Sequence, residues 1–272
     1  MKHTSSVFES LYGPVQSWRF GRSLGIDPIG TCSTCSFSCA YCQLGNIQKK
    51  TSQRQVFVST DQIAQEIAEF DFLEPMDVVT LSGSGEPTLA QNLGDLLACI
   101  KDRVDCPVVV LTNGTLLGNL AVRFALQSAD QVVVKLDAVS DDQLQRINRP
   151  TSNINVTSIL EGIRIFSEQY RGHFAIQTML LKPWSLEEQA RYLRIIQNLM
   201  PDEVQLNVPS RPRVLMRQLE ARGNQRLPLE SDAYRQLACV STTTLQDFAE
   251  EIETYTGIPA RYPLVKNKES CS

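Results

Sequence analysis

A chain of 272 residues with 42% hydrophobic and 21% charged side chains can bury one large core, and α/β barrels of this length commonly form one domain. A formal net charge of -4 and an isoelectric point near 5.4 give no global pull toward nucleic acid. No stretch approaches the roughly 18 apolar residues of a membrane span and the N-terminus carries no long apolar run, so the expectation is a soluble, cytoplasmic protein with no membrane partner.

Short β-branched runs alternate with amphipathic stretches, as in repeated βα units around a parallel sheet. The first strand is expected over 23–27, "SLGID", and it leads into a cysteine-rich loop. Thr60-Asp61 reads as the N-cap of a helix over 62–70, in which Ile63, Ile67 and Phe70 share one face. Further strands are expected over 77–82, 107–112, 131–138, 173–180 and 203–209, with helices over 93–102, 119–128, 156–170 and 186–200 between them. The second strand runs into the glycine-rich loop "SGSGEPT", the third into "TNGT" and the fourth into the charged loop "LDAVSDD". Six strands, each but the last followed by a helix, predict an α/β fold of the partial (β/α)6 TIM-like barrel kind. From about Ser210 the character changes: Arg211, Arg213, Arg217, Arg222 and Arg226 precede expected helices over 230–240 and 244–257 and a polar tail. The domain reading is a barrel core over 12–212 with a C-terminal helical extension and tail over 213–272.

Chemistry in such barrels gathers at the C-terminal ends of the strands, which is where all four unusual loops fall. In a reducing compartment eight cysteines suit metal binding or catalysis better than a disulfide framework. Cys99, Cys106 and Cys239 read as small buried hydrophobes, with Cys271 in the tail. Cys32, Cys35, Cys39 and Cys42 instead crowd into eleven residues. Zinc ribbons separate their cysteine pairs by roughly fifteen residues or more. Only Ser36, Phe37 and Ser38 separate them here, a compression that suits the cubane iron-sulfur cluster. Cys32, read as a small residue packed at the end of the first strand, is left out of the ligand set.

In "QVVVKLDA" alternation sets Val133, Lys135 and Asp137 against Val132, Val134 and Leu136. The apolar face belongs against helices, so Lys135 and Asp137 point into the barrel, either as a pair that satisfies itself or as catalytic groups. Gln177 and Asn207 are further lumenal candidates. Arginines at strand ends, Arg19, Arg22, Arg149, Arg211 and Arg213, could grip a carboxylate or phosphate, which suggests an anionic substrate.

The pattern Cys35-x3-Cys39-x-Tyr41-Cys42, followed one βα unit later by "LSGSGEPTL", resembles the radical S-adenosylmethionine (SAM) superfamily. The resemblance implies that Cys35, Cys39 and Cys42, with Tyr41 before the last of them, bind three irons of a [4Fe-4S] cluster. It also implies that the loop carrying Gly83, Gly85, Glu86 and Pro87 meets the methionine end of SAM, with Asn113 at its ribose. Glycines there let bare backbone approach a ligand. From about Tyr12 to Pro212 the chain is similar to compact iron-sulfur oxidoreductases related to the wyosine-forming tRNA enzymes. Those enzymes place a second set of cluster cysteines upstream, where this chain has only Cys32. The implied activity is reductive cleavage of SAM to a 5'-deoxyadenosyl radical that takes hydrogen from a substrate, with an electron from a donor such as flavodoxin or ferredoxin. Two other classes remain open here: an RNA-modifying enzyme with Lys49, Lys50 and Arg54 on a phosphate-binding rim, disfavoured by the acidic balance, and a non-catalytic zinc or iron-sulfur protein.

Overall fold

The computed structural model describes residues 8–71, 75–209, 211–215, 222 and 234–264; Arg217, Arg226, Cys271 and residues 230–233 of an expected helix lie outside them. The chain begins with β1 (Leu11–Ser17) and β2 (Gly21–Ile26), then β3 (Thr34–Cys35) and β4 (Lys49–Lys50) within the cysteine loop. There follow α1 (Thr60–Glu69), β5 (Val78–Leu81), α2 (Leu93–Lys101), β6 (Val108–Thr112), α3 (Leu120–Leu126) and β7 (Gln131–Lys135). Next come α4 (Asp141–Ile147), α5 (Val156–Gln169), β8 (His173–Met179), α6 (Leu186–Leu199) and β9 (Glu203–Asn207). The described chain closes with β10 (Arg213–Val214), β11 (Tyr234–Arg235), α7 (Thr242–Thr256) and β12 (Ala260–Arg261).

The main sheet runs β1-β2-β5-β6-β7-β8-β9-β12. All neighbours are parallel except β1, which folds back antiparallel on β2. The six expected strands are its centre, and with the helices packed on one face they make an open, curled part-barrel. Alternation decides the faces. Val132 and Val134 join Leu24, Ile26, Val79, Leu81, Val110, Ile176 and Leu206 in the large core against the helices. Val133 turns the other way, into a small cluster with Phe20, Val78, Val109 and Ala175. Phe20 sits in the β1–β2 turn, at the N-terminal end of β2, so this cluster floors the barrel at the end opposite the strand-following loops. Each fully buried Ile or Leu of the outer core contributes about 1.5–3 kcal/mol.

Several local expectations change. The cap of α1 is Ser59, whose side chain accepts from Gln62 N, while Asp61 lies in the first turn and favours the positive end of the helix dipole. Part of the charged loop after β7 is α4, capped by Ser140 with Asp141 and Asp142 in its first turn; the pattern Ser-x-x-Gln was the available signal. The helix expected over 230–240 is not formed over 234–240: Tyr234–Arg235 pairs with Arg213–Val214 instead, and irregular chain follows. That leaves Cys239 exposed rather than buried, and Cys99 and Cys106 are only half-buried. Two edge strands, β1 and β12, were unforeseen: β12 has only two residues, and β1 is half-exposed and interrupted by Gly13-Pro14.

Candidate active site

The cysteine loop leaves β2 at Asp27, a fully buried carboxylate. Its Oδ1 accepts from Ile29 N (2.9 Å) and Gly30 N (3.2 Å), and its Oδ2 from Ser84 N and Arg222 Nη1 (3.0 Å each). Gly83, at φ +135°, passes so close that a Cβ there would lie 2.5 Å from the Asp27 carboxyl carbon. Cysteine and glycine loops are then laced by backbone: Thr34 N donates to Ser84 O and Glu86 N to Thr34 O, both at 3.0 Å. A Cβ on Gly85 would stand 1.7 Å from Thr34 O. The bare backbone at Gly85 is therefore demanded by the cysteine loop itself, whatever ligand lies beyond it.

Glu86 caps the 3₁₀ turn Pro87–Leu89. Its buried carboxylate accepts from Thr88 N (3.1 Å), Thr88 Oγ1 (2.7 Å), Thr112 Oγ1 (2.6 Å) and Asn113 N (2.7 Å). Burial pushes the Glu86 carboxyl above its ordinary value, against these donors, which favour the charged form. The side chain thus bolts the loop after β5 to the loop after β6. Asn113 Nδ2 donates to Ser36 Oγ (2.8 Å) and points at Cys35 Sγ (3.5 Å), and its Oδ1 accepts from Thr115.

Asp137, two residues beyond β7, has the corresponding role on the far side. Its side chain is wholly buried. Oδ1 accepts from Met179 N (2.8 Å), while Oδ2 accepts from Asn148 Nδ2 (2.8 Å) and from the Tyr41 hydroxyl. Lys135 Nζ stands 3.9 Å from Oδ2 and 4.7 Å above the Tyr41 ring. The Lys135–Asp137 contact is accordingly one edge of a larger network. Asn148, which sequence reasoning missed, also directs Nδ2 at Cys39 Sγ (3.5 Å). It is the C-cap of α4, and no motif marked it; recognising α4 would have placed it one residue past the helix. The α4–α5 connection further grips the loop through Ser38 N to Asn148 O (2.9 Å), Ala40 N to Ile147 O (2.7 Å) and Thr151 N to Ser36 O (2.9 Å). Lys50 Nζ closes it, donating to Pro150 O at 3.0 Å.

Within this frame Cys35, Cys39 and Cys42 form no disulfide, and they stand near enough that charge on Cys39 and Cys42 raises the pKa of Cys35, and charge on Cys42 that of Cys39. Burial is the larger cause: it pushes Cys35 well above the usual thiol value, with Glu86 adding to it, and Cys39 up to about 12, where Lys135 opposes and Asp137 reinforces the rise. Such thiols stay protonated unless a cation meets them, and a coordinated metal reverses this outright. The donor set fits an iron-sulfur group: three soft ligands from one short loop, with an amide N–H aimed at each of two sulfurs. Cys32 is exposed rather than packed.

The sequence profile of the Radical SAM superfamily matches residues 29–196. The chain belongs to the radical SAM superfamily. Over 263 residues it is 49% identical to the UPF0026 protein slr1464 of Synechocystis, covering 96% of this chain and 99% of that one. It is 35% identical over 206 residues to the UPF0026 protein MJ1312 of Methanocaldococcus jannaschii, covering 74% of this chain and 64% of the other. SuiB of Streptococcus suis, solved bound to its precursor peptide SuiA, has the same fold with a TM-score of 0.60 at 13% identity, over 88% of this chain and 48% of SuiB. The chain spans about half the length of SuiB. The protein is a radical SAM enzyme, requiring a substrate and a reductant, and the superfamily uses a [4Fe-4S] cluster and SAM. No helix among the described residues is long and apolar enough to cross a membrane.

Proposed function

We propose that Cys35, Cys39 and Cys42, with Tyr41 before the last of them, would hold three irons of the cluster, and that the loop Gly83, Gly85, Glu86 and Pro87, with Asn113, would bind SAM. When bound, cluster and SAM together supply a 5'-deoxyadenosyl radical that removes hydrogen from the substrate. The chain's own part is to hold that assembly still and dry. Glu86 ties two strand-following loops together, Asp137 anchors Tyr41 and Asn148, and the two asparagine amides stabilise negative charge on the sulfurs. The observation that carries the reading is the convergence of three half-buried cysteines on one short loop, two of them with an asparagine amide aimed at the sulfur. Anaerobic reconstitution should load about one cluster per chain, and dithionite with SAM should then give slow release of 5'-deoxyadenosine and methionine. A fully loaded, reducible protein that binds SAM and releases neither product overturns the reading.

The substrate in this proposal carries an anionic group. Arg19, in the turn beneath the barrel, lies 5.0 Å over the Phe20 ring of the lumenal floor. Its Nε and Nη1 are shielded from solvent without a partner, and burial lowers its pKa to about 10, which leaves it charged at neutral pH. By contrast Arg213 is engaged by Asn46 of the cysteine loop. An acidic one-electron donor such as flavodoxin or ferredoxin would dock beside exposed Lys49, which pairs in register with Thr34. The oxygen-sensitive cluster and its cysteines suit the cytoplasm, and the residues proposed for catalysis fall within 12–212, with α7 and β12 completing the same core and sheet. A wyosine-like reading would make the substrate a tRNA. Of the basic residues that reading needs, Arg54 is spent on Thr88 O (3.0 Å) and Ala90 O (2.9 Å), and Lys50 on Pro150 O, so a small molecule is favoured.

A further inference from the structure

Inside the barrel, one residue row nearer the mouth than the Val133–Ala175 layer, Lys135 pairs in register with Gln177 and Gln177 with Gln205. Their neighbours Val134, Ile176, Val204 and Leu206 belong to the outer core, so alternation turns this row into the lumen. Gln177 and Gln205 are 7% and 0% exposed, yet Gln177 Nε2 and Gln205 Oε1 each lack a hydrogen-bond partner. The orientation of Gln205 is fixed from its other end: its Nε2 donates to Glu203 Oε1 at 2.5 Å, and Glu203 is held by Arg261 at 3.3 Å. A buried donor and a buried acceptor thus stand open on adjacent strands. Unmade hydrogen bonds of this kind are costly and rare in native interiors.

We propose that Gln177 and Gln205 read the substrate, and that the group they read is an amide edge: a carbonyl acceptor, received by Gln177 Nε2, next to an N–H donor, received by Gln205 Oε1. Lactam nucleobases and primary carboxamides share this edge. The inference rests on the radical SAM reading for what is done to the substrate and adds how it is recognised. A group held on this row lies above the apolar floor of Phe20, Val133 and Ala175 and beside Lys135, between the barrel's closed end and the cysteine loop. Sites built around open polar groups reject analogues that leave them unpaired.

The test uses the reconstituted holoprotein with SAM, held without oxygen and without reductant, and measures binding of guanosine, 1-methylguanosine and N-acetylglutamine amide by calorimetry. Guanosine or the carboxamide should bind, and whichever binds identifies the source of the edge. If guanosine binds, 1-methylguanosine, whose donor is blocked, should be weaker by about tenfold or more. Gln177→Leu should weaken the bound probe by a similar factor while leaving Tm unchanged or raised, since it removes an unsatisfied donor and keeps the volume. A lower Tm in Gln177→Leu would mean that the two glutamines bond each other as a structural pair, and would overturn the proposal. So would the absence of binding by either probe, or affinity untouched in Gln177→Leu and Gln205→Leu. Release of 5'-deoxyadenosine by the same wild-type preparation is scored separately: a protein that cleaves SAM and binds neither probe sinks this inference alone, whereas one that binds a probe but never cleaves SAM sinks the enzyme reading.

Discussion

The two ends of the polar system in this barrel are built on opposite plans. At the mouth, Glu86 takes four hydrogen bonds and Asp137 three, and between them they pin five loops. One row deeper, Gln177 and Gln205 keep a donor and an acceptor open, and Arg19 keeps two guanidinium nitrogens unpartnered beneath. A saturated buried carboxylate can position neighbours but offers nothing to a ligand, while an open buried amide does the reverse. The contrast assigns the mouth to holding cofactors in place and the depth of the lumen to recognition.

The sharpest way to break this division is at the thiols. Alanine at Cys35, Cys39 or Cys42 should abolish retention of iron and sulfide after reconstitution, with the folded barrel intact by circular dichroism. Iron retained in any one of these variants would remove that residue from the ligand set. Gly85→Val comes next. Because the new side chain collides with Thr34 O beside Cys35, it should lower iron content as well as SAM affinity; loss of SAM binding alone would show that the two loops are less tightly coupled than their lacing indicates. Asp137→Ala strips the acceptor from Tyr41, Asn148 and Met179 and the counter-charge from Lys135, at a cost of roughly 3–5 kcal/mol. Thermal unfolding of that variant should shift down by roughly 10 °C, and a fall of only a degree or two would argue that the mouth is not braced through this carboxylate.

The clustering of the thiols and the glycine loop was legible because their spacing in the chain reflects a constraint that is local: three cysteines on one short loop, and a backbone turn with no room for side chains. Six strands were legible from their β-branched runs, and the inward aspect of Lys135 from alternation alone. What stayed hidden is relational. Asp27, Asn148, Thr112 and Thr88 are ordinary polar residues in the sequence, and only folding brings Asn148 to Cys39 across 109 positions. Glu86 was readable as part of a motif, but not as a bracket between two strand-following loops. The open state of Gln177 Nε2 was equally invisible, since a lumenal glutamine reads the same whether or not it finds a partner.

Smaller effects sharpen the picture at the cluster. Asn148→Leu removes an N–H directed at Cys39 Sγ; because such donors stabilise the added negative charge of a reduced cluster, its midpoint potential should move more negative in electrochemical titration. An unchanged midpoint would reduce Asn148 to a brace. Smallest of all is Cys32→Ala. Cys32 is exposed, so the variant should match wild type in iron content and Tm, and full loss of the cluster there would redraw the ligand set.

The lacing of the cysteine loop bears on the protein's life history. Thr34 to Ser84 and Glu86, Ser38 and Ala40 to the end of α4, Thr51 N to Cys35 O at 3.0 Å and Lys50 to Pro150 are all bonds between parts of the chain itself, and none waits for iron. Unlike a zinc finger, whose fold is made by its metal, a loop tied in this way should hold its shape before a cluster is loaded, so the protein stripped of iron should keep its circular dichroism and accept a cluster again on anaerobic reconstitution.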